Sequence, residues 1–124
     1  MWTTAAAPAE WDDGPVMPSS VPTVDPRLIG DDLLVDVRED DEWVAGHAPD
    51  AVHLPMSQLP ARFAELPDDV PVAVVCRSGG RSAQVTAYLL AQGRQARNVD
   101  GGMGAWAALG LPMTADGDRP PRVL

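Results

Sequence analysis

Two short stretches constrain this chain more than anything else in it: LLVDV, Leu33–Val37, and VAVVC, Val72–Cys76. Each is an almost unbroken apolar run of strand length. Neither alternates apolar with polar residues, as a strand with one wet face does, so each reads as a strand buried on both sides. Strands of that kind need cover above and below, and the sequence between and after them supplies it. Ser82–Gln92 sets Val85, Tyr88, Leu89 and Leu90 at helical spacing and closes at Gly93. MGAWAALGLP, Met103–Pro112, reads as a last helix stopped by Gly110 and Pro112.

The remaining segments fit the same alternation. Val21–Val24 is short and β-prone, and Asp25 with Pro26 forms the N-cap and first position of a brief helical turn ended by Gly30. REDDEWVAGHAPDA, Arg38–Ala51, reads as a short helix and turn, with early carboxylates, Trp43 and Val44 as apolar contacts, and Gly46 as the stop. AVHLP, Ala51–Pro55, is a brief strand, and SQLPARFAEL, Ser57–Leu66, is read as a helix with Leu59, Phe63 and Leu66 on one side. ARNVDGG, Ala96–Gly102, is a last strand entering a glycine turn. Strands alternating with helices across short connections imply an α/β fold: a small parallel sheet flanked by helices on both faces. Its crossovers should be right-handed, and its ligands should bind beyond the carboxyl ends of the strands.

A chain of 124 residues with 45% apolar content supports one core, placed at residues 21–114. Residues 1–20, rich in Ala, Pro, Asp and Ser, read as a flexible or loosely docked arm, although Trp2 and Trp11 suit folding back onto the domain. Residues 115–124 read as a loose polar tail. The net charge of −9 argues against a nucleic-acid binder, which would normally show a basic face, and against docking on anionic lipid. Met1–Ser20 lacks a basic start and an unbroken apolar core, so it does not read as a signal peptide. No stretch approaches the ~20 apolar residues that span a bilayer. The expectation is a cytoplasmic protein with no membrane or nucleic-acid partner.

Cys76 is the only cysteine, so no internal disulfide is available. On its own, a Cys after VAVV reads as a packing residue. The next six residues, Arg77, Ser78, Gly79, Gly80, Arg81 and Ser82, give it another use. Thiols react as thiolates, and three features here favour the anion: a helix N-terminus, the fixed charges of Arg77 and Arg81, and glycines that let successive amides turn inward. Such a cradle suits negative charge on the sulfur or an oxyanion brought to it. Ser78 and Ser82 can add hydroxyl donors.

Three motifs in order now resemble the single-domain rhodanese-like sulfurtransferases. LLVDVREDDEWVAGHAPDAVHLP resembles the family's Asp-Val-Arg segment and Gly-His-x-Pro turn, VVCRSGGRSAQVTAYLLAQG its active-site loop and helix, and NVDGGMGAWAALGLP its closing Gly-Gly, Trp and Gly-x-Pro signature. The resemblance covers roughly Val21–Met113 and implies that Cys76 is the nucleophile. It would accept a sulfane sulfur from a donor such as thiosulfate and pass the persulfide sulfur to cyanide or a thiol, or to a sulfur-accepting protein, with Arg77–Ser82 binding substrate. Covalent storage on one cysteine requires no metal and no organic cofactor.

Asp36 and Arg38 end a strand beside the expected active edge, where they could support the loop, steer an anion or simply pair with each other. Glu42 is placed in the same polar network. His47 and His53 are read as a turn and a strand residue and not as a zinc site, and Trp43 and Trp106 as core anchors. Two rival readings stand beside the main one. A cysteine phosphatase also holds an oxyanion in a Cys-to-Arg loop, but those enzymes place five residues between nucleophile and Arg, and here four stand there. A non-catalytic binding module would have no need of an intact Cys76 and its loop.

Overall fold

A computed structural model describes residues 16–124. Trp2 and Trp11, with most of the arm expected at residues 1–20, lie outside the described residues. Five strands, β1 (Thr23–Val24), β2 (Leu33–Asp36), β3 (Val52–His53), β4 (Val72–Val75) and β5 (Ala96–Val99), form one sheet in the order β1-β5-β4-β2-β3. Every neighbouring pair is parallel. The helices are α1 (Asp40–Ala45), α2 (Gly80–Ala91) and α3 (Gly102–Ala108).

β4 shows why an unbroken apolar run was needed. Val72, Val74 and Cys76 enter one core with Val35, Val85, Tyr88 and Leu89, under α2. Ala73 and Val75 enter the other with Leu34, Val99, Met103 and Trp106, under α3. Burying a side chain of this size is worth roughly 1.5–3 kcal/mol, so both faces of β4 hold the layers together. The fold is the three-layer α/β arrangement that the strand and helix pattern implies.

Strand order places the site. From β2 the chain steps outward to β3, but β4 returns to the other side of β2 and leads away to β5. The direction of progress therefore reverses between β2 and β4, the kind of switch point at which open α/β sheets bind ligands beyond the carboxyl ends of their strands. Asp36 leaves β2 there, and Cys76 leaves β4 there.

Several local expectations are corrected. Residues 57–66 form turns and a single 3-10 turn, Phe63–Glu65, instead of an α-helix. Pro60 has no N–H to continue a helical ladder. Leu59, Phe63 and Leu66 are nevertheless all buried together, so the spacing identified the inward face correctly. Val44 is 45% exposed and gives α1 no apolar anchor. The edge strands are shorter than read, and α2 begins at Gly80, before Ser82.

The segment 115–124 is not loose. The amides of Asp116 and Arg122 donate to the carbonyls of Val44 (3.1 Å) and Ala45 (2.9 Å), and His47 and Thr114 exchange backbone hydrogen bonds at 2.8 Å. Val123 packs against the second core. The polar composition hid one apolar anchor and a set of backbone donors. Gly46 permits this docking: a Cβ there would collide with the Arg122 main chain. Its φ of 172° is ordinary extended backbone, so Gly46→Ala should release the tail through contact alone. Limited trypsin digestion should cut after Arg122 at least about tenfold faster in that variant, while the rest of the domain stays resistant.

Candidate active site

Cys76 directly follows β4 and is 1% exposed. Two donor groups lie within hydrogen-bonding distance of its Sγ: the Gly79 amide at 3.1 Å and the Ser82 hydroxyl at 3.2 Å. Gly79 reaches back because it occupies the left-handed region, with φ 117° and ψ −11°, as the N-cap of α2. The loop is fixed from behind by α3. The carbonyls of Cys76 and Arg77 accept hydrogen bonds from the amides of Met103 (2.7 Å) and Gly104 (2.9 Å). Gly102 makes this approach possible: with φ +60°, a Cβ there would lie 2.5 Å from both carbonyl oxygens.

The guanidinium groups are not where the charge argument put them. Arg81 forms a two-point pair with Glu42, at 2.7 and 2.9 Å, and Arg77 donates through Nε to the main-chain oxygen of Leu124. Hydrogen-bonding to Glu42 raises the Arg81 pKa, and the Cys76 sulfur adds a smaller Coulombic contribution in the same direction. Positive charge thus stands behind the donors, and neutral N–H and O–H groups touch the sulfur. Ser78 is exposed at the loop's outer side, and Gly80 opens α2.

Asp36 and Arg38 form an internal ion pair, both fully buried, at 2.8 Å. Arg38 also donates from its amide to Asp36 at 3.0 Å and from Nη2 to the Gly46 carbonyl at 2.7 Å. These extra bonds offset part of the cost of removing two charges from water. The pair is a frame, tying β2 to the end of α1. Trp43 lies between two imidazoles, stacked on His47 at 3.6 Å and on His53 at 4.6 Å between ring centroids. Carbonyls of Trp43 and Arg38 hold the two His rings at Nδ1 and Nε2 respectively. Trp43 is therefore half-buried in a ring stack and not a core anchor, whereas Trp106 is buried among apolar side chains.

Sequence reasoning missed Asn98. This β5 side chain is fully buried, accepts from the Ser82 hydroxyl at 2.5 Å and donates to the Gly79 carbonyl at 3.1 Å. The only signal was a polar residue inside a short strand.

Compared with known proteins, residues 24–109 match the family model of the rhodanese-like domain. The chain belongs to the rhodanese-like domain family. It is 49% identical over 86 residues to a protein of Allochromatium vinosum named a sulfurtransferase, covering 68% of this chain and 80% of that one. It is 47% identical over 73 residues to a putative sulfurtransferase of Bacillus subtilis, covering 59% and 71%. Among solved structures, a rhodanese-related protein of Thermoplasma volcanium superposes with a TM-score of 0.71 at 28% identity, covering 75% of this chain and 97% of that one. The relatives place this rhodanese-like domain in a sulfurtransferase family.

The Glu42–Arg81 pair is accessible to test. Arg81 holds the Glu42 carboxyl below its ordinary 4.5, helped by the Glu39 amide and opposed by burial. The stabilisation is complete above the unfolded value and is lost as pH falls through the lower folded one. At pH 7, Glu42→Gln should cost about 1 kcal/mol, the scale of a partly exposed pair. Thermal melts of wild type and variant should converge as pH falls below 4.5. Arg81→Lys should recover only part of the difference between Arg81→Ala and wild type, because an ammonium cannot reproduce the two-point geometry.

Proposed function

We propose that this protein transfers sulfane sulfur through a persulfide on Cys76. The observation that carries the reading is the pair of donors, Gly79 N–H and Ser82 O–H, aimed at the sulfur of a lone cysteine beyond a strand end. In the loading step the thiolate attacks the outer sulfur of a donor such as thiosulfate. A new S–S bond forms, the bond to the central sulfur breaks, and its electron pair leaves with sulfite. The negative charge then rests on the outer sulfur of the persulfide. In the second step cyanide or a thiolate attacks that outer sulfur, and Cys76 leaves as thiolate. Neither step needs a metal, an organic cofactor or an external oxidant.

Each part of the loop has a task in this cycle. Gly79 and Ser82 hold charge on Sγ. The amides of Gly80, Arg81 and Ser82, in the first turn of α2, lack carbonyl partners within the helix and are the donors assigned to the outer sulfur. Arg77 and Arg81 add background positive charge, with Arg81 held by Glu42. The four-residue spacing from Cys76 to Arg81 makes a cradle closer to the size of one sulfur than of a tetrahedral phosphate. The physiological acceptor could equally be a protein thiol, in which case the same chemistry serves a sulfur carrier. A non-catalytic module would leave the cradle without purpose. No helix among the described residues is long and apolar enough to cross a membrane, and we place the reaction in the cytoplasm.

Intact-mass spectrometry tests the central step. Thiosulfate should add one sulfur atom to wild type, cyanide or dithiothreitol should remove it, and Cys76→Ser should take up none. Thiosulfate–cyanide turnover in Cys76→Ser at the wild-type rate would overturn the reading. Cys76-dependent hydrolysis of p-nitrophenyl phosphate without thiosulfate turnover would instead favour phosphate chemistry.

A further inference from the structure

We propose that Asn98 is a positioning residue for sulfur transfer, directing the single Ser82 hydroxyl proton between two acceptors as charge moves on and off Cys76. The inference rests on the sulfur-transfer reading for its cycle but on geometry for its parts. Ser82 Oγ lies 2.5 Å from Asn98 Oδ1 and 3.2 Å from Cys76 Sγ. Both are hydrogen-bonding distances, sulfur being the larger atom. A hydroxyl has one proton to donate, so it cannot serve both acceptors at once. Ser82, Asn98 and Cys76 are all essentially inaccessible to solvent, which leaves bulk water no direct part in the choice.

The cycle changes which acceptor needs that proton. In the thiolate, full negative charge sits on Sγ, and a charged acceptor wins the hydroxyl. In the persulfide, charge has moved to the outer sulfur, and Sγ has become a weakly accepting divalent atom. The hydroxyl then has Asn98 Oδ1 to turn to. Without that oxygen, a buried O–H would stand unpaired at the persulfide stage, an outcome that folded proteins avoid.

The other end of Asn98 supports the same task. Its Nδ2 donates to the Gly79 carbonyl at 3.1 Å, and the Gly79 amide is the second donor to Sγ. One side chain therefore touches both residues that touch the sulfur. Its own place is fixed by the sheet: the Asn98 amide donates to the Pro22 carbonyl at 2.8 Å, and Asn98 is in register with Val74 on β4. The nucleophile's strand and the positioning residue's strand are thus neighbours in one sheet.

Asn98→Asp is the discriminating variant. It is nearly isosteric, but it puts a carboxylate oxygen against the Gly79 carbonyl and gives Ser82 a charged rival to the sulfur. The rate of iodoacetamide alkylation of Cys76 should therefore rise at higher pH than in wild type, by enough to be about tenfold slower on the rising limb. The thiosulfate-loading rate should fall at least about tenfold. Ser82→Ala should move the alkylation profile in the same direction, and the double variant should shift it by clearly less than the sum of the two single changes, because the Ser82 hydroxyl is their shared route while the carboxylate's charge and its Gly79 contact act separately. Additive shifts, or an Asn98→Asp protein within twofold of wild type in both assays, would overturn the proposal. If the aspartate variant does not fold, Asn98→Ala serves: it should slow loading about tenfold, and a rate within twofold of wild type overturns the inference. Should wild type fail to load sulfur at all, the sulfur-transfer reading falls, while the alkylation profiles still report whether Asn98 governs the thiol through Ser82.

Discussion

Two backbone hydrogen bonds, from Met103 and Gly104 to the carbonyls of Cys76 and Arg77, set the shape on which the site depends. In a trans peptide the N–H points opposite the C=O. Pinning those two carbonyls toward α3 therefore turns the amides of Arg77 and Ser78 away from it, and the loop cannot relax into an ordinary turn. Gly102 is the condition for the clamp, since a side chain there would strike both carbonyls. The start of the loop, from which the Gly79 and Ser82 donors follow, is thus fixed by a segment more than twenty residues downstream in the chain. Donors fixed in advance stabilise an anion without the reorganisation that water would require.

The second layer of control is ionic and indirect. Glu42 accepts from the Glu39 amide at the start of α1 and also binds Arg81. A carboxylate that caps one helix therefore anchors a cation at the start of another. α1 is held in turn by the Arg38 bond to Gly46 and by the stack of Trp43 between His47 and His53. The pair of Asp36 and Arg38 thus connects to the end of α1, and not to the sulfur.

The sheet, its burial on both faces and the position of Cys76 were legible because each depends on local pattern. LLVDV and VAVVC are short, apolar and bounded, and the Cys-to-Ser82 loop is contiguous. What was not legible depends on neighbours distant in sequence. Asn98 is unremarkable within ARNVDGG, and its role arises only because β5 lies beside β4. The arginines were misplaced for a related reason: sequence gives their distance from Cys76 along the chain, whereas Glu42 and Leu124 decide where their side chains go. Pro60 and the docked tail show the same limit in weaker form, one a local breaker inside an otherwise helical spacing, the other an apolar anchor concealed in polar sequence.

The depth of Cys76 carries a consequence for selectivity between two sulfur atoms. A persulfide is electrophilic at both: attack on the outer atom moves sulfur onward, whereas attack on the inner one expels hydrosulfide and leaves the protein capped by the attacking thiol. Sγ is almost wholly enclosed, while a second sulfur bonded to it would stand ~2.05 Å further out. An incoming thiolate also needs a straight line along the S–S axis, and from the solvent side that line meets the outer sulfur first. In the proposed persulfide cycle, enclosure of the inner atom would therefore act as a regiochemical filter, protecting a chain with no second cysteine to rescue it from a dead-end mixed disulfide.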